Sequence, residues 1–179
     1  MEHTADGSWL EISRTSVWRR FGRAIEAVEY RMPDGNTETF YLAAVRPAVS
    51  VFALTPDREV ILVEQYRPGP ARVLRELPGG FVDPREEAAG AAARELQEET
   101  GYAGTLTPLT TCYDDAYSTM VRHCYAATDC LQVAAPTPDS TEHVKTVLVP
   151  LEEFRAQLRS GASTDVEVGY LALDYLGLL

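Results

Sequence analysis

Three glutamates, Glu95, Glu98 and Glu99, stand close together in the stretch RELQEETG, Arg94 to Gly101. At about 100° per residue in a helix they fall inside a single arc of about 100°. Like charges one turn apart weaken a helix by a few tenths of a kcal/mol, so carboxylates gathered against their own repulsion call for a cation. Hard divalent ions take oxygen ligands, and Mg²⁺ keeps several waters while bridging carboxylates to substrate phosphates. A lone Glu-Glu pair on a helix is ordinarily a solvated face. The residues around it decide which reading holds.

Those residues predict a punctuated helix: Asp83 as N-cap, Pro84 in the first turn, Glu86 three after the cap and Gly101 as the stop. Ala89, Ala92, Ala93 and Leu96 form a narrow apolar face of mostly small side chains that can lie close against a sheet, with the glutamates in the neighbouring arc. Upstream, LPGG supplies Gly79 and Gly80, which let backbone approach a ligand closely and leave carbonyl oxygens able to point at it. Together these make an oxygen-rich pocket.

From Gly80 the sequence runs GFVDPREEAAGAAARELQEETGY, with Gly80, Glu86, Arg94, Glu95, an aliphatic Leu96, Glu98, Glu99 and Gly101 in fixed order. This resembles the Nudix box of the Nudix hydrolases. Its seven matching identities, at background frequencies of about 7% each, give a chance match on the order of 10⁻⁸ per start position. The one soft departure is Tyr102, where the family prefers a large aliphatic residue.

The resemblance implies a Nudix fold, an α/β mixed sheet with helices packed on it, and hydrolysis of a nucleoside diphosphate linked to another group. Metals spanning a diphosphate orient water, lower its pKa and stabilise the spread negative charge. Carried over residue by residue, Glu95 and Glu99 are the principal metal ligands, Glu98 a further ligand or a contact to metal-bound water, and the Gly79 carbonyl a ligand from the loop. Mg²⁺ or Mn²⁺ is the implied cofactor. Glu86 and Arg94 support the catalytic set, since Arg94 can pair with Glu98 or reach Glu86 and so fix carboxylate geometry.

Outside the box, VEQYRPGP and RELPGG resemble the ADP-ribose pyrophosphatase branch, which implies cleavage of ADP-ribose to AMP and ribose 5-phosphate. There Arg67 would hold a phosphate through its planar fork of donors, and Glu76 would hydrogen-bond the substrate or a metal-bound water. A strand-end surface arginine and a loop carboxylate are the bland readings of the same two residues. A proline common in that branch some fifteen residues after the box is missing, and AYSTM, Ala116 to Met120, stands there instead. A nucleotide-sugar or dinucleotide pyrophosphatase therefore stays open, as does a non-catalytic sensor, although a sensor would typically have lost box glutamates. Metal-bound glutamates are poor bases, because the metal lowers their pKa and occupies their lone pairs. In the ADP-ribose branch a loop glutamate often assists the attacking water, and Glu142 in APTPDSTEHVKTVLVP is the positional match. Asp139, His143 or a merely solvated loop charge are the alternatives.

The rest of the chain must position these groups. Its 179 residues suffice for one domain with an appendage. The first 46 residues read as a β-rich region around a Pro33-Asp34-Gly35-Asn36 hairpin turn, and 47–179 as the hydrolase domain. Val60 to Val63 is a continuous apolar run, as in a strand covered on both faces. Further strands are expected over Leu106–Asp114, Val121–Ala127 and Val144–Val149, and helices over Leu151–Arg159 and the last run to Leu179. The hairpin's Ile25, Val28, Tyr30, Phe40, Tyr41 and Leu42 exceed what a two-stranded ribbon can bury. Similar enzymes of the branch exchange this region between subunits, implying a homodimer with Trp18 or Phe21 near the nucleobase, though core packing would equally employ either aromatic. Cys112, Cys124 and Cys130 match neither a zinc template nor a disulfide framework, and alternation sends adjacent His123 and Cys124 to opposite faces. A net charge of -11 argues against nucleic-acid or membrane partners. With no long apolar run and no basic-then-apolar leader, a cytoplasmic protein is expected.

Overall fold

The computed structural model describes residues 7–20, 22–137 and 143–179. The chain divides into two compact units, Met1–Pro47 with Tyr113–Val121, and Ala48–Cys112 with Arg122–Leu179.

In the first unit β1 (Leu10–Arg20), β2 (Arg23–Arg31) and β3 (Thr37–Val45) form an antiparallel sheet in the order β1-β2-β3. The β2–β3 hairpin turns where Pro-Asp-Gly-Asn predicts: Gly35 takes φ 87°, and the Asp34 carboxylate accepts the Asn36 N–H at 3.0 Å. β1 goes beyond the expected two-stranded ribbon. Its eleven residues are exposed throughout, and register shifts at Glu11/Ser13 and Ser16/Trp18 interrupt the alternation by which a half-buried strand is recognised. Tyr113–Val121 joins this unit because Ala43 N–H donates to Tyr117 O at 2.8 Å and Thr119 N–H to Ala43 O at 2.9 Å. Trp9, Tyr30, Phe40 and Tyr117 form an aromatic cluster, with ring centroids 5.1 Å apart for Trp9 and Phe40.

The second unit is a mixed six-stranded sheet. β4 (Ala48–Leu54), β5 (Glu59–Arg67), β6 (Arg72–Glu76), β7 (Tyr102–Tyr113) and β8 (Val121–Gln132) run in the order β6-β5-β4-β8-β7, and β9 (Lys145–Pro150) pairs with β5. β4 and β8 are parallel, while β5 is antiparallel to its neighbours. Alternation sorts the core into two layers. Val49, Val51, Ala53 and Ile61 pack with Ala91, Ala92 and Leu96 of α1 (Ala88–Thr100). Phe52, Leu54, Val60 and Leu62 pack with Phe154 and Leu158 of α2 (Leu151–Ser160) and with Val168, Ala172 and Leu173 of α3 (Val166–Tyr175). Val60–Val63, inside both layers, is fully buried. No helix among the described residues is long and apolar enough to cross a membrane.

Two details of α1 correct the sequence reading. The helix starts at Ala88, not after Asp83, and the N-cap residue Glu87 makes no side-chain cap. Residues 83–86 instead form a turn in which Arg85 takes φ 74°, Glu86 N–H donates to Asp83 O, and the Glu86 carboxylate accepts the Asp83 N–H at 3.1 Å. The buried stripe is Ala91, Ala92, Leu96, Glu99 and Thr100, whereas Ala89 and Ala93 face solvent. A run of near-identical alanines carries no phase of its own, so the sheet chose which of them to cover.

Candidate functional site

Two chain segments build the site. Leu77–Phe81 leaves β6 and runs beside the start of β4: Pro78 O accepts the Val51 N–H, Gly80 O accepts the Val49 N–H, and Phe81 bridges to Ala48. Gly79, between them, turns its N–H the other way, to Glu99 Oε2 at 2.9 Å. Backbone leaves no room for a side chain at Gly79, and at Gly80 a side chain would displace the Glu95 carboxylate. A Cβ on Gly79 would stand 2.3 Å from Val49 O, and one on Gly80 2.4 Å from Glu95 Oε1.

α1 supplies the second wall. Arg94 gathers the carboxylates: Nε and Nη2 grip Glu86 in a two-pronged pair, each bond 2.9 Å, and Nη1 reaches Glu95 at 2.8 Å and Glu98 at 3.1 Å. Its Nη2 also donates to Phe81 O, tying helix to loop. Three acids thus share one guanidinium, and the cation demanded by their crowding is first of all Arg94. Its bonds to Glu86, and then to Glu95 and Glu98, raise its pKa further, while Arg94 and the Asp83 N–H pull Glu86 down to about 2. Glu99, only 4% exposed, sits on the buried side of the helix.

Among the described residues no three His, Cys, Asp or Glu side chains converge closely enough to hold a metal ion as they stand. The donor set still suits a hard divalent cation. It consists of oxygens, and the missing Cβ of Gly80 lets the Glu95 carboxylate lie close against the backbone loop.

Arg67 and Glu76 also come together. Arg67 Nε donates to Glu76 Oε2 at 2.5 Å, and Glu76, 1% exposed, takes the Thr164 hydroxyl on its other oxygen at 2.6 Å. Both Glu76 oxygens are therefore engaged, and its side chain is closed off from solvent. Trp18 lies on β1 of the first unit, opposite Ile25 and half exposed. Phe21, Glu142 and Asp139 lie outside the described residues, and His143 is exposed. The thiols are unsuited to nucleophilic work. Burial pushes Cys124 up to about 12, helped by Cys112 at 3.7 Å, and Cys130 up to about 11. Sequence reasoning missed Thr164, Asp165 and Arg122 around Glu76. Their one local signal is a Thr-Asp pair before an apolar run, which reads as a helix start and nothing more.

Residues 44–168 match the profile of the NUDIX domain. The chain belongs to the Nudix family. This Nudix hydrolase is 31% identical to the ADP-ribose pyrophosphatase of Bacillus subtilis (strain 168), over 86% of this chain and 83% of that protein. It is 32% identical to a CMP-5'-(N-acetyl-N-hydroxy-3-aminopropyl)phosphonate hydrolase of Streptomyces rubellomurinus (strain ATCC 31215), covering 86% of this chain and 76% of the relative. The ADP-sugar pyrophosphatase of Mus musculus is 29% identical over 88% of this chain and 74% of its own length. The crystal structure of an ADP compounds hydrolase shares the Nudix fold, with TM-score 0.78 and 23% identity over 96% of this chain and 97% of that one.

Proposed function

We propose that the protein hydrolyses the diphosphate of a nucleoside diphosphate derivative, with ADP-ribose and water giving AMP and ribose 5-phosphate. The observation that carries this reading is the set of box carboxylates gathered on Arg94, with Glu95 lying directly against a glycine loop. The Bacillus subtilis relative, named an ADP-ribose pyrophosphatase, supports the choice of substrate.

In this reading Glu95 and Glu99 hold Mg²⁺ or Mn²⁺, with Glu98 as a further ligand or a contact to metal-bound water, and the Gly79 carbonyl contributes from the loop. A bound divalent cation supplies neutralising charge along the diphosphate and acidifies water. Arg94 and Glu86 keep the carboxylates apart and aimed, so that little reorganisation remains when substrate arrives. Arg67 offers the edge of its guanidinium to a phosphate. Glu142 takes the proton of the attacking water, and Glu142→Gln is expected to lower kcat by about 10² while KM stays put; an unchanged kcat would remove Glu142 from the chemistry.

Homodimerisation through the β-rich unit, with Trp18 or Phe21 near the nucleobase, and a cytoplasmic location belong to the same proposal. Light scattering at the 19.7 kDa monomer mass would sink the dimer. The mouse relative, an ADP-sugar pyrophosphatase, and AYSTM in place of the branch's proline favour a second reading with a broader nucleotide-sugar range. A panel of diphosphates assayed for phosphate release, with phosphatase added to cleave the monophosphate products, separates the two. AMP from ADP-ribose in Mg²⁺ and none in chelator is the expected result; full activity in chelator, or an untouched panel, would overturn the proposal.

A further inference from the structure

The Arg67–Glu76 pair is not an incidental strand contact. In the register of β5 and β6, Arg67 stands opposite Arg72, the first residue of β6, while Glu76 is the last and stands opposite Val63. The guanidinium must therefore lie back along the sheet to reach the carboxylate. It does so with Nε, and among the described residues its two Nη groups make no hydrogen bond or close ion pair, although the charge of Arg67 is felt by the buried Asp165. Those two groups form the edge that grips phosphate oxygens in pairs, and the side chain keeps 41% of its surface in water.

Glu76 holds this orientation only because something holds Glu76. Its second oxygen accepts the Thr164 hydroxyl at 2.6 Å, from the turn that starts α3. Behind that turn Asp165, 9% exposed, lies 3.4 Å from the same hydroxyl and 3.5 Å from Arg122 Nε, and Arg122 also pairs with Glu167 of α3. Thr164 has a single proton, and the short bond commits it to Glu76. A buried carboxylate stripped of one donor turns to satisfy the exposed oxygen. Any such turn carries the Nε–carboxylate bond, and with it the aim of the Nη pair.

We propose that Thr164 and Glu76 are positioning residues which aim Arg67 at the substrate diphosphate, making the start of α3 part of the substrate-binding apparatus. The inference rests on Arg67 as the phosphate-holding residue. It adds that this capacity is set from a distant part of the chain through one hydroxyl and one carboxylate that never touch substrate.

Steady-state kinetics with ADP-ribose and Mg²⁺ test it, using Arg67→Ala, Thr164→Val, Thr164→Ser and the Arg67→Ala/Thr164→Val double variant, with thermal melts alongside. Thr164→Val, which keeps shape and loses the hydroxyl, is expected to raise KM about tenfold, the size of a charge-assisted hydrogen bond, with kcat nearly unchanged. Thr164→Ser restores KM. In the Arg67→Ala background Thr164→Val adds nothing, because there is no guanidinium left to aim. Glu76→Gln serves if Thr164→Val fails to fold, with the same expected rise in KM. A wild-type KM in Thr164→Val, or KM effects of the two single changes that multiply in the double variant, would overturn the relay while leaving Arg67 as a phosphate ligand. An unchanged KM in Arg67→Ala would instead remove Arg67 from the substrate. A wild type that leaves ADP-ribose intact defeats the underlying functional reading before any variant is compared.

Discussion

Two charge clusters in the second unit are made of different material. Around Arg94 the partners Glu86, Glu95 and Glu98 come from one short stretch of chain, and the group is open to water on one side: the Glu98 side chain is 44% exposed and Glu86 21%, while Glu95 is as covered as Asp165. Around Glu76 and Asp165 the partners come from β5, β8 and the start of α3, and both carboxylates are shut in. Water-facing ion pairs are individually weak and exchangeable, so Glu98, on the open side of Arg94, can trade part of its bonding for an incoming cation at little expense. Buried ones must be matched donor for donor and cannot be rearranged cheaply. The first cluster suits a group that binds and releases; the second suits one that stays put and holds something else in place.

The largest effect that would break this contrast is catalytic. Glu99→Gln retains the shape of the side chain and can still accept the Gly79 N–H, but removes its charge. We expect activity to fall by on the order of 10² or more with the fold kept, and wild-type protein to melt higher in Mg²⁺ by mass action. Were Glu99→Gln to turn over at near wild-type rate, or Mg²⁺ to leave the melting temperature unmoved, the cluster beside the glycine loop would be as inert as the buried one.

The contrast also explains what could be read in advance. Gly80, Glu86, Arg94, Glu95, Glu98, Glu99 and Gly101 are informative because their spacing is local: a helix converts it into geometry with no knowledge of the fold. The β2–β3 turn and the buried Val60–Val63 strand were legible for the same reason. β1 was not, since its two register shifts erase the alternation that marks a strand. The start of α1 misled because Asp83, Pro84 and Glu86 carry capping chemistry that the chain spends on a turn holding Glu86 against Arg94. Thr164 and Arg122 were invisible, because what joins them to Glu76 is tertiary packing that no local pattern encodes.

A second and smaller effect is thermodynamic. Burial pushes Asp165 up from 3.8 to about 6, with Arg122 pulling the other way and Glu76 adding to the rise. A folded pKa above the unfolded one means that the native state holds the proton longer. Stability is then highest below the unfolded value and declines as pH rises through about 6, by up to about 3 kcal/mol in all. Urea titrations across this window should show that decline, and Asp165→Asn, which mimics the protonated acid, should flatten it. A wild type with no slope there would mean that Asp165 is as well solvated as Glu98 on Arg94.

The smallest effect has the opposite sign and belongs to Glu86. Its hydrogen bonds from Arg94 and from the Asp83 N–H favour the charged form and lower its pKa from 4.5 to about 2. The native state now gives up its proton first, so this contribution is complete above 4.5 and lost as pH falls toward 2. Glu86 is partly exposed, with 21% of its side chain in water, so water competes for its bonds and the slope should be shallow beside that of Asp165. Glu86→Gln therefore should leave the neutral-pH denaturation midpoint nearly unmoved while removing part of the acid sensitivity. Its cost should show in activity instead, because Arg94 would lose its two-pronged partner and draw closer to Glu95 and Glu98, the carboxylates a cation needs. A Glu86→Gln variant that is severely destabilised at pH 7 but unaltered in turnover would invert the comparison, making the open cluster structural.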